Sequence, residues 1–294
     1  MRYDIRLTIA HDYAAPVGYA RHLVLVTPAH LPPRQILLSQ SLEVTPEPAE
    51  SAAQLDFFGN LGTMVTHIAP HPRMEITMMA QIQCDPVPEG LNFATTLPDL
   101  ADELDSLPSL LPGAPQHFLG VSPRIKTDAA ITVFARETAK PWMDVRDIVV
   151  AMGERINRDF DFVPGATTVE TPASEAFAAR RGVCQDFTHV MITGLRALGI
   201  PAAYVSGYLR TTPPPGQARL EGADAMHAWV RAWCGKEIGW IEYDPTNAIF
   251  AGQDHIVVAY GRDYGDISPV RGVLRMSGDN LSTQSVDVIP LDAD

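Results

Sequence analysis

Cysteine is scarce in this chain: Cys84, Cys184 and Cys234 are the only three among 294 residues. An odd, widely spaced set closes no disulfide framework and fits a reducing compartment. Long hydrophobic runs are missing as well. No window approaches the roughly 18 consecutive apolar residues of a membrane span, and Met1-Arg2-Tyr3-Asp4-Ile5-Arg6 lacks the apolar core of a signal peptide. The expectation is a cytoplasmic protein with no membrane partner. No run of Lys and Arg occurs, and the formal net charge is −13, so nucleic acid is not an expected partner. The acidic residues are spread out, which suits solubility better than an acidic docking surface and supplies no dedicated calcium cluster. Low polarity of the opposite kind, disorder, is excluded too: 46% hydrophobic against 19% charged residues is ample for a packed core.

The length favours two domains. Up to about residue 88 the chain alternates with period two. Tyr3, Ile5, Leu7 and Ile9 share one face, and from Met74 to Cys84 every even position is apolar. Shorter strand candidates are 23–27, 36–44 and 64–68, separated by turns such as Gly59-Asn60. Several short strands with frequent turns predict an N-terminal β-sandwich over 1–88. Cys84 falls on its apolar face as a core thiol. A proline-rich connector over 89–125, with one or two short helical turns, precedes a second domain over 126–294. There, helical spacing links Ala129, Ile131, Phe134 and Ala135, and then Val145, Ile148, Val149, Met152 and Ile156.

Thr171-Pro172 marks a helix start. Cys184 opens the next helix, whose apolar positions Phe187, Val190, Met191, Leu195 and Leu198 end at Gly199-Ile200-Pro201. Strands follow at 202–209, 227–234, 240–244 and 256–260, so the second domain is α+β. No internal repeat is present.

A helix N-terminus carries partial positive charge, which favours a thiolate. Cys184 occupies that place, with Gly182 leaving room for a turn and for an approaching carbonyl. Its own backbone N–H, unpaired within the helix, is a candidate oxyanion donor. Position alone leaves a buried core cysteine equally open. A two-residue Gly235-Lys236 turn would pair Cys234 with Glu237. Carried down both strands, that register sets His227 directly opposite Asp244, about 5 Å apart at Cβ. A carboxylate there fixes one imidazole tautomer, as nucleophilic catalysis requires. Trp229 shares the His227 face and is a candidate cleft wall. Tyr208, at the end of a strand, is a candidate substrate contact. Gln185 reads as a helix-surface residue, His189 as lying on the polar side of its helix, Asp186 as a helix-terminus stabiliser and Cys234 as core.

These segments resemble a known family. Arg181-Gly182-Val183-Cys184-Gln185-Asp186-Phe187, Arg196-Ala197-Leu198-Gly199-Ile200-Pro201-Ala202, Tyr204-Val205-Ser206-Gly207-Tyr208, His227-Ala228-Trp229 and Asp244-Pro245-Thr246-Asn247 are similar to the transglutaminase-like superfamily core. Asp56-Phe57-Phe58-Gly59-Asn60 and Gly261-Arg262-Asp263-Tyr264-Gly265-Asp266-Ile267-Ser268-Pro269 resemble bacterial members that carry an N-terminal β domain. The resemblance implies a papain-like core with a triad at Cys184, His227 and Asp244.

The expected function is acyl transfer from, or hydrolysis of, a peptide or protein amide through a thioester. Hydrolysis is preferred because no feature of the sequence excludes water. The alternatives are transglutamination by the same triad and a non-catalytic binding module that keeps the fold. A metal site built on Cys184, His227, Asp244 and His189 is a further alternative, set aside on the reading that no Cys-x-x-Cys or His-x-x-x-His spacing is present, so no metal and no cofactor are expected.

Overall fold

The computed structural model describes residues 1–86, 93–107, 109–211, 224–275 and 278–291. Six N-terminal strands, β1 (Arg2–Val17), β2 (Tyr19–Val24), β3 (Gln35–Thr45), β4 (Glu50–Leu55), β5 (Leu61–His67) and β6 (His71–Cys84), divide between two antiparallel sheets. The alternation read from the sequence is realised: Tyr3, Ile5, Leu7 and Ile9 of β1, and Met74, Ile76, Met78, Ala80, Ile82 and Cys84 of β6, are all buried. Ala20, Val24 and Val65 from the other sheet join the same core, as a sandwich requires. Burial pushes the Cys84 thiol up to about 11, the behaviour of an inert core cysteine. Strand β4 escaped the sequence reading. It pairs only with β5, and every one of its residues is exposed, so it carries no buried alternation to detect.

Beyond the sandwich come α1 (Leu97–Asp105), a 3₁₀ turn at Pro115–Phe118, α2 (Ala129–Thr138), α3 (Val145–Asp159), β7 (Asp161–Phe162), α4 (Ala173–Ala179), β8 (Arg181–Gly182) and α5 (Cys184–Ala197). Asp128 and Asp144 cap α2 and α3 by accepting from the backbone N–H groups of Ile131 and Asp147, each at 2.8 Å. A five-stranded antiparallel sheet follows, built from β9 (Ala202–Leu209), β10 (Ala225–Trp233), β11 (Trp240–Asp244), β12 (Ile249–Phe250) and β13 (His255–Gly261), in the order β12-β11-β10-β9-β13. Helix α5 packs against β9 and β10. Elsewhere on the sheet, Val205, Trp229 and Val257 cluster with Ala29 and Leu31 of the N-terminal segment. After the short helix α6 (Tyr264–Ile267) the chain ends in β14 (Val270–Arg275) and β15 (Asn280–Pro290). Among the described residues, no helix is long and apolar enough to cross a membrane.

Two expectations require correction. A second domain running unbroken over 126–294 fails at its end: β14 pairs with β2, and β15 pairs with β1 from Tyr3↔Pro290 to Tyr13↔Asn280. The chain therefore returns to complete both sandwich sheets. Its last strands read weakly because β14 and most of β15 are solvent-facing, with only Val286 and Val288 fully buried.

The two-residue hairpin is also displaced. Strands β10 and β11 begin pairing at Trp233↔Trp240, and residues 234–239 form a wider loop closed by Gly239 N–H to Gly235 O at 2.7 Å. That loop docks on α1, where the Lys236 N–H donates to Glu103 Oε2 at 2.8 Å. The anchoring favours a helical turn over a tight two-residue reversal.

Removing residues 276–294 strips the β1 edge and exposes the pockets of Val286 and Val288. At about 1.5–3 kcal/mol per buried aliphatic side chain, the truncated chain is expected to melt several degrees below the full chain. An unchanged melting temperature would contradict the assignment of β15 to the sandwich.

Candidate active site

The displaced hairpin register moves the strand partners by two residues, which keeps every side chain on its original face. His227 consequently reaches Asp244 as a diagonal neighbour instead of a direct one, and the contact forms: Nε2 of His227 lies 2.8 Å from Oδ2 of Asp244. Asp244 is wholly buried. Its Oδ2 also accepts from Asn247 Nδ2 at 2.6 Å and His255 Nε2 at 3.2 Å. Its Oδ1 takes the backbone N–H groups of Thr246 at 2.8 Å and Asn247 at 3.3 Å, because the chain curls back immediately after β11. Burial alone would raise this carboxyl. Hydrogen bonds from His227, His255 and Asn247, together with the imidazole charge, hold it well below the usual carboxylate range.

Cys184 opens α5 half-buried, as the helix-start reading expected. It lies close enough to His227 to raise that imidazole, whose pKa is pushed up to about 10. Burial works against that rise. The hydrogen bond to Asp244 and then the interaction with Cys184, with their charges, outweigh it. With Nε2 committed to Asp244, Nδ1 is the ring nitrogen left for Cys184. The three residues singled out in the sequence are therefore brought together.

The turn into α5 depends on Asp186, whose Oδ2 accepts from the Val183 N–H at 2.8 Å and Thr167 Oγ1 at 2.6 Å. This is the helix-terminus role expected of it. Gly182 serves that turn differently from the expectation: a Cβ there would lie 2.6 Å from Asp186 Oδ2 and 2.8 Å from its Cβ, so glycine makes room for Asp186 and not for a substrate.

Several other candidates do different work from that expected. Tyr208 is buried, and its hydroxyl donates to the Val26 carbonyl at 2.5 Å, so it offers a substrate no surface. Trp229 is also buried. Its ring stacks on His227 with centroids 6.1 Å apart and meets His255 edge-on at 5.2 Å, making it a backing for the site instead of a cleft wall. Gly207 permits this, since a Cβ there would sit 2.4 Å from the indole. Gln185 is buried and donates to the Val169 carbonyl at 3.2 Å. His189 is buried as well, accepting the Tyr264 N–H at 3.2 Å, and burial holds it down to about 4. Helix α5 is enclosed on nearly every side, which is why a polar-side reading of its periodicity failed there.

Two groups were missed. His255 accepts the Gly252 N–H on Nδ1 at 3.2 Å, so Nε2 carries the proton that it gives to Asp244. Nothing in its local sequence distinguishes it from an ordinary strand histidine. The other is Glu242, buried in β11, whose carboxylate accepts from Trp229 Nε1 at 2.7 Å, Tyr260 OH at 2.9 Å and both Arg34 guanidinium nitrogens at 2.7 and 2.8 Å. Arg34 belongs to the segment between β2 and β3, so the sandwich reaches the residue that backs His227.

His227, Asp244 and His255 bring one potential metal-ligating atom each within 4.8 Å of one another. Both histidine nitrogens of that set face the carboxylate, and the His255 tautomer makes its nitrogen a donor. The group is thus closed by its own hydrogen bonds. His189 does not join it.

Residues 133–245 match the transglutaminase-like superfamily, and residues 3–83 match the bacterial transglutaminase-like N-terminal region. The uncharacterised Mycobacterium tuberculosis protein Rv2569c is 37% identical over 267 residues, covering 89% of this chain and 84% of its own length. A protein-glutamine gamma-glutamyltransferase of Pseudomonas aeruginosa is 36% identical over 107 residues, which is 34% of this chain and 15% of that one. The crystal structure of a provisionally assigned cysteine protease from Cytophaga hutchinsonii superposes with a TM-score of 0.77, at 24% identity, over 100% of this chain and 92% of its own, a likeness of fold.

Glu242 supplies a pH-dependent test of the inter-domain link. Burial would raise its pKa, but Arg34 first and Trp229 with it hold it down to about 2, below the ordinary 4.5. Its contribution to stability is complete above pH 4.5 and is lost as pH falls towards 2. Arg34→Ala leaves a buried carboxylate unpaired, at a cost of about 3–5 kcal/mol. That deficit should narrow on acidification, because the unpaired group protonates readily. Urea titrations at acid and neutral pH check this; an equal deficit at both would show that Arg34 does not hold Glu242 anionic.

Proposed function

Because the chain belongs to the transglutaminase-like superfamily, we propose that it is a cysteine enzyme that breaks a peptide or protein amide through a thioester on Cys184. The observation that supports this reading is the position of His227, hydrogen-bonded at 2.8 Å to a buried anionic Asp244 and close enough to Cys184, at the α5 N-terminus, to be influenced by it.

Cys184 attacks the amide carbon as a thiolate whose proton is held by His227. The oxyanion is met by the free backbone N–H groups that open α5, beginning with that of Cys184. Collapse of the tetrahedral intermediate breaks the C–N bond, and the imidazolium gives its proton to the departing nitrogen. A second nucleophile then attacks the thioester, His227 removing its proton, and the thiol is regenerated. Asp244 fixes the ring orientation and stabilises the imidazolium without itself becoming protonated. Metal chemistry is not required for any of these steps.

Water as the second nucleophile gives hydrolysis, which we retain as the preferred outcome. Transamidation to an amine is the second reading, favoured by the similarity to the Pseudomonas aeruginosa transferase.

Incubation with glutamine-containing peptides, followed by intact-mass measurement, should reveal an acyl adduct on the wild-type chain and none on Cys184→Ala. Asp244→Asn should lower kcat/KM by about 10²-fold or more while leaving the melting transition cooperative. Adding a primary amine distinguishes the two outcomes, since only transamidation incorporates it into the product. A Cys184→Ala chain with undiminished turnover would remove the thioester from the account.

A further inference from the structure

One end of the sandwich is filled by imidazoles. His11 of β1 and His71 of β6 come from one sheet, and His22 of β2 and His67 of β5 from the other. Across the second sheet His67 stands opposite Ala20 and His22 opposite Val65, so the two histidines are diagonal neighbours. The His67 and His71 rings lie 4.8 Å apart at their centroids, and Tyr13 meets His71 edge-on at 5.8 Å and stacks with His11 at 6.5 Å.

Among the described residues nine buried side-chain polar atoms have no hydrogen-bond partner, and five of them gather here: His11 Nε2, Tyr13 Oη, His22 Nδ1, His67 Nδ1 and His71 Nε2. His22, His67 and His71 are each only 3–4% exposed. A buried polar atom left without a partner costs about 1–3 kcal/mol, so such a concentration in one place calls for an occupant.

Tautomers identify its chemistry. His67 Nε2 lies 2.8 Å from the Pro46 carbonyl oxygen, and His71 Nδ1 lies 3.0 Å from that of Ala69. A carbonyl only accepts, so those nitrogens carry the protons, and His67 Nδ1 and His71 Nε2 are bare lone pairs in the interior. An imidazole fixed by a backbone carbonyl on one nitrogen and presenting a lone pair from the other is the arrangement of a metal-ligating histidine. His22 Nδ1 is a third buried imidazole nitrogen without a partner, presented from the strand beside His67. The reading that no His-x-x-x-His spacing is present needs correction here, because His67-Ile68-Ala69-Pro70-His71 is one, well outside the segment that carries Cys184, His227 and Asp244.

We propose that His67, His71 and His22 bind one zinc-like divalent transition-metal ion between the two sheets of the sandwich. Imidazole ligands select such ions over magnesium or calcium. Tyr13 and His11 flank the site and can complete the coordination directly or through water. These residues are not among the groups whose ligand atoms already stand close enough together to hold an ion, so binding would draw the strands that carry them closer while the carbonyl contacts of His67 and His71 keep their tautomers. The site joins strands of both sheets, and it is separate from the His227, Asp244 and His255 group.

The experiment uses the full chain, stripped with chelator and carbamidomethylated at its accessible thiol, titrated calorimetrically with Zn²⁺ and then with Co²⁺. The expected result is one bound equivalent, a raised melting temperature with Zn²⁺ but not Mg²⁺, and a cobalt spectrum free of thiolate charge transfer. His67→Gln and His71→Gln should each weaken binding at least tenfold, whereas His255→Gln should retain it. Should either cluster variant fail to fold, anomalous scattering from zinc-soaked wild-type crystals must place the ion between His67 and His71. No stoichiometric binding, an ion located at His255, or only ordered water in the cluster would overturn the proposal.

Discussion

A carboxylate with no exposed surface survives in a protein interior only where donors replace its water, and Asp244 has two backbone N–H groups, one amide and two imidazoles aimed at its two oxygens. The rest of the site depends on that charge. It draws the proton of His227 towards permanence, fixes Nε2 as the nitrogen that faces inward, and so leaves Nδ1 for the thiol. His255 contributes from the far edge of the sheet by donating to the same oxygen, which ties the start of β13 to the end of β11. The fold around the carboxylate can be seen as the means of delivering these donors: a tight return after β11, a strand edge for His255 and a helix start for Cys184.

The sandwich is joined to this arrangement by polar contacts as well as by packing. Arg34 pairs with Glu242, Glu242 holds the Trp229 indole, and Trp229 backs both His227 and His255. Gln35 extends the seam, its amide bridging the N–H and carbonyl of Val257 at 2.8 Å each where β13 shifts register against β9. Asn60 does the same for Tyr260. A break in a strand ladder leaves backbone groups that need partners, and the N-terminal domain supplies them. The β domain is therefore part of what positions the sheet that carries His227 and Asp244.

Much of this was legible in the sequence, for identifiable reasons. Met74 to Cys84 alternates cleanly because one face of β6 is dry, and α3 shows in the spacing of Val145, Ile148, Val149, Met152 and Ile156 because that stripe is buried. His227 and Asp244 were matched across a hairpin whose turn was wrong by two residues, and the match held because strand faces repeat with period two. What escaped was non-local. His255 reaches Asp244 through the curvature of the sheet, Arg34 reaches Glu242 from another domain, and β15 returns from the far end of the chain; no spacing encodes any of these. Tyr208 and Trp229 lie at the expected places on their strands, yet their burial is decided by the N-terminal segment packed over them, which strand periodicity cannot register.

The central claim is that buried Asp244 and the Cys184 thiol together keep His227 protonated well into the alkaline range. Nuclear magnetic resonance of a selectively labelled His227 imidazole tests it directly. The account predicts an imidazolium that persists towards pH 10 in the wild-type chain and titrates at lower pH in Cys184→Ala. A His227 that titrates near its ordinary value of 6.5 in both chains would contradict it.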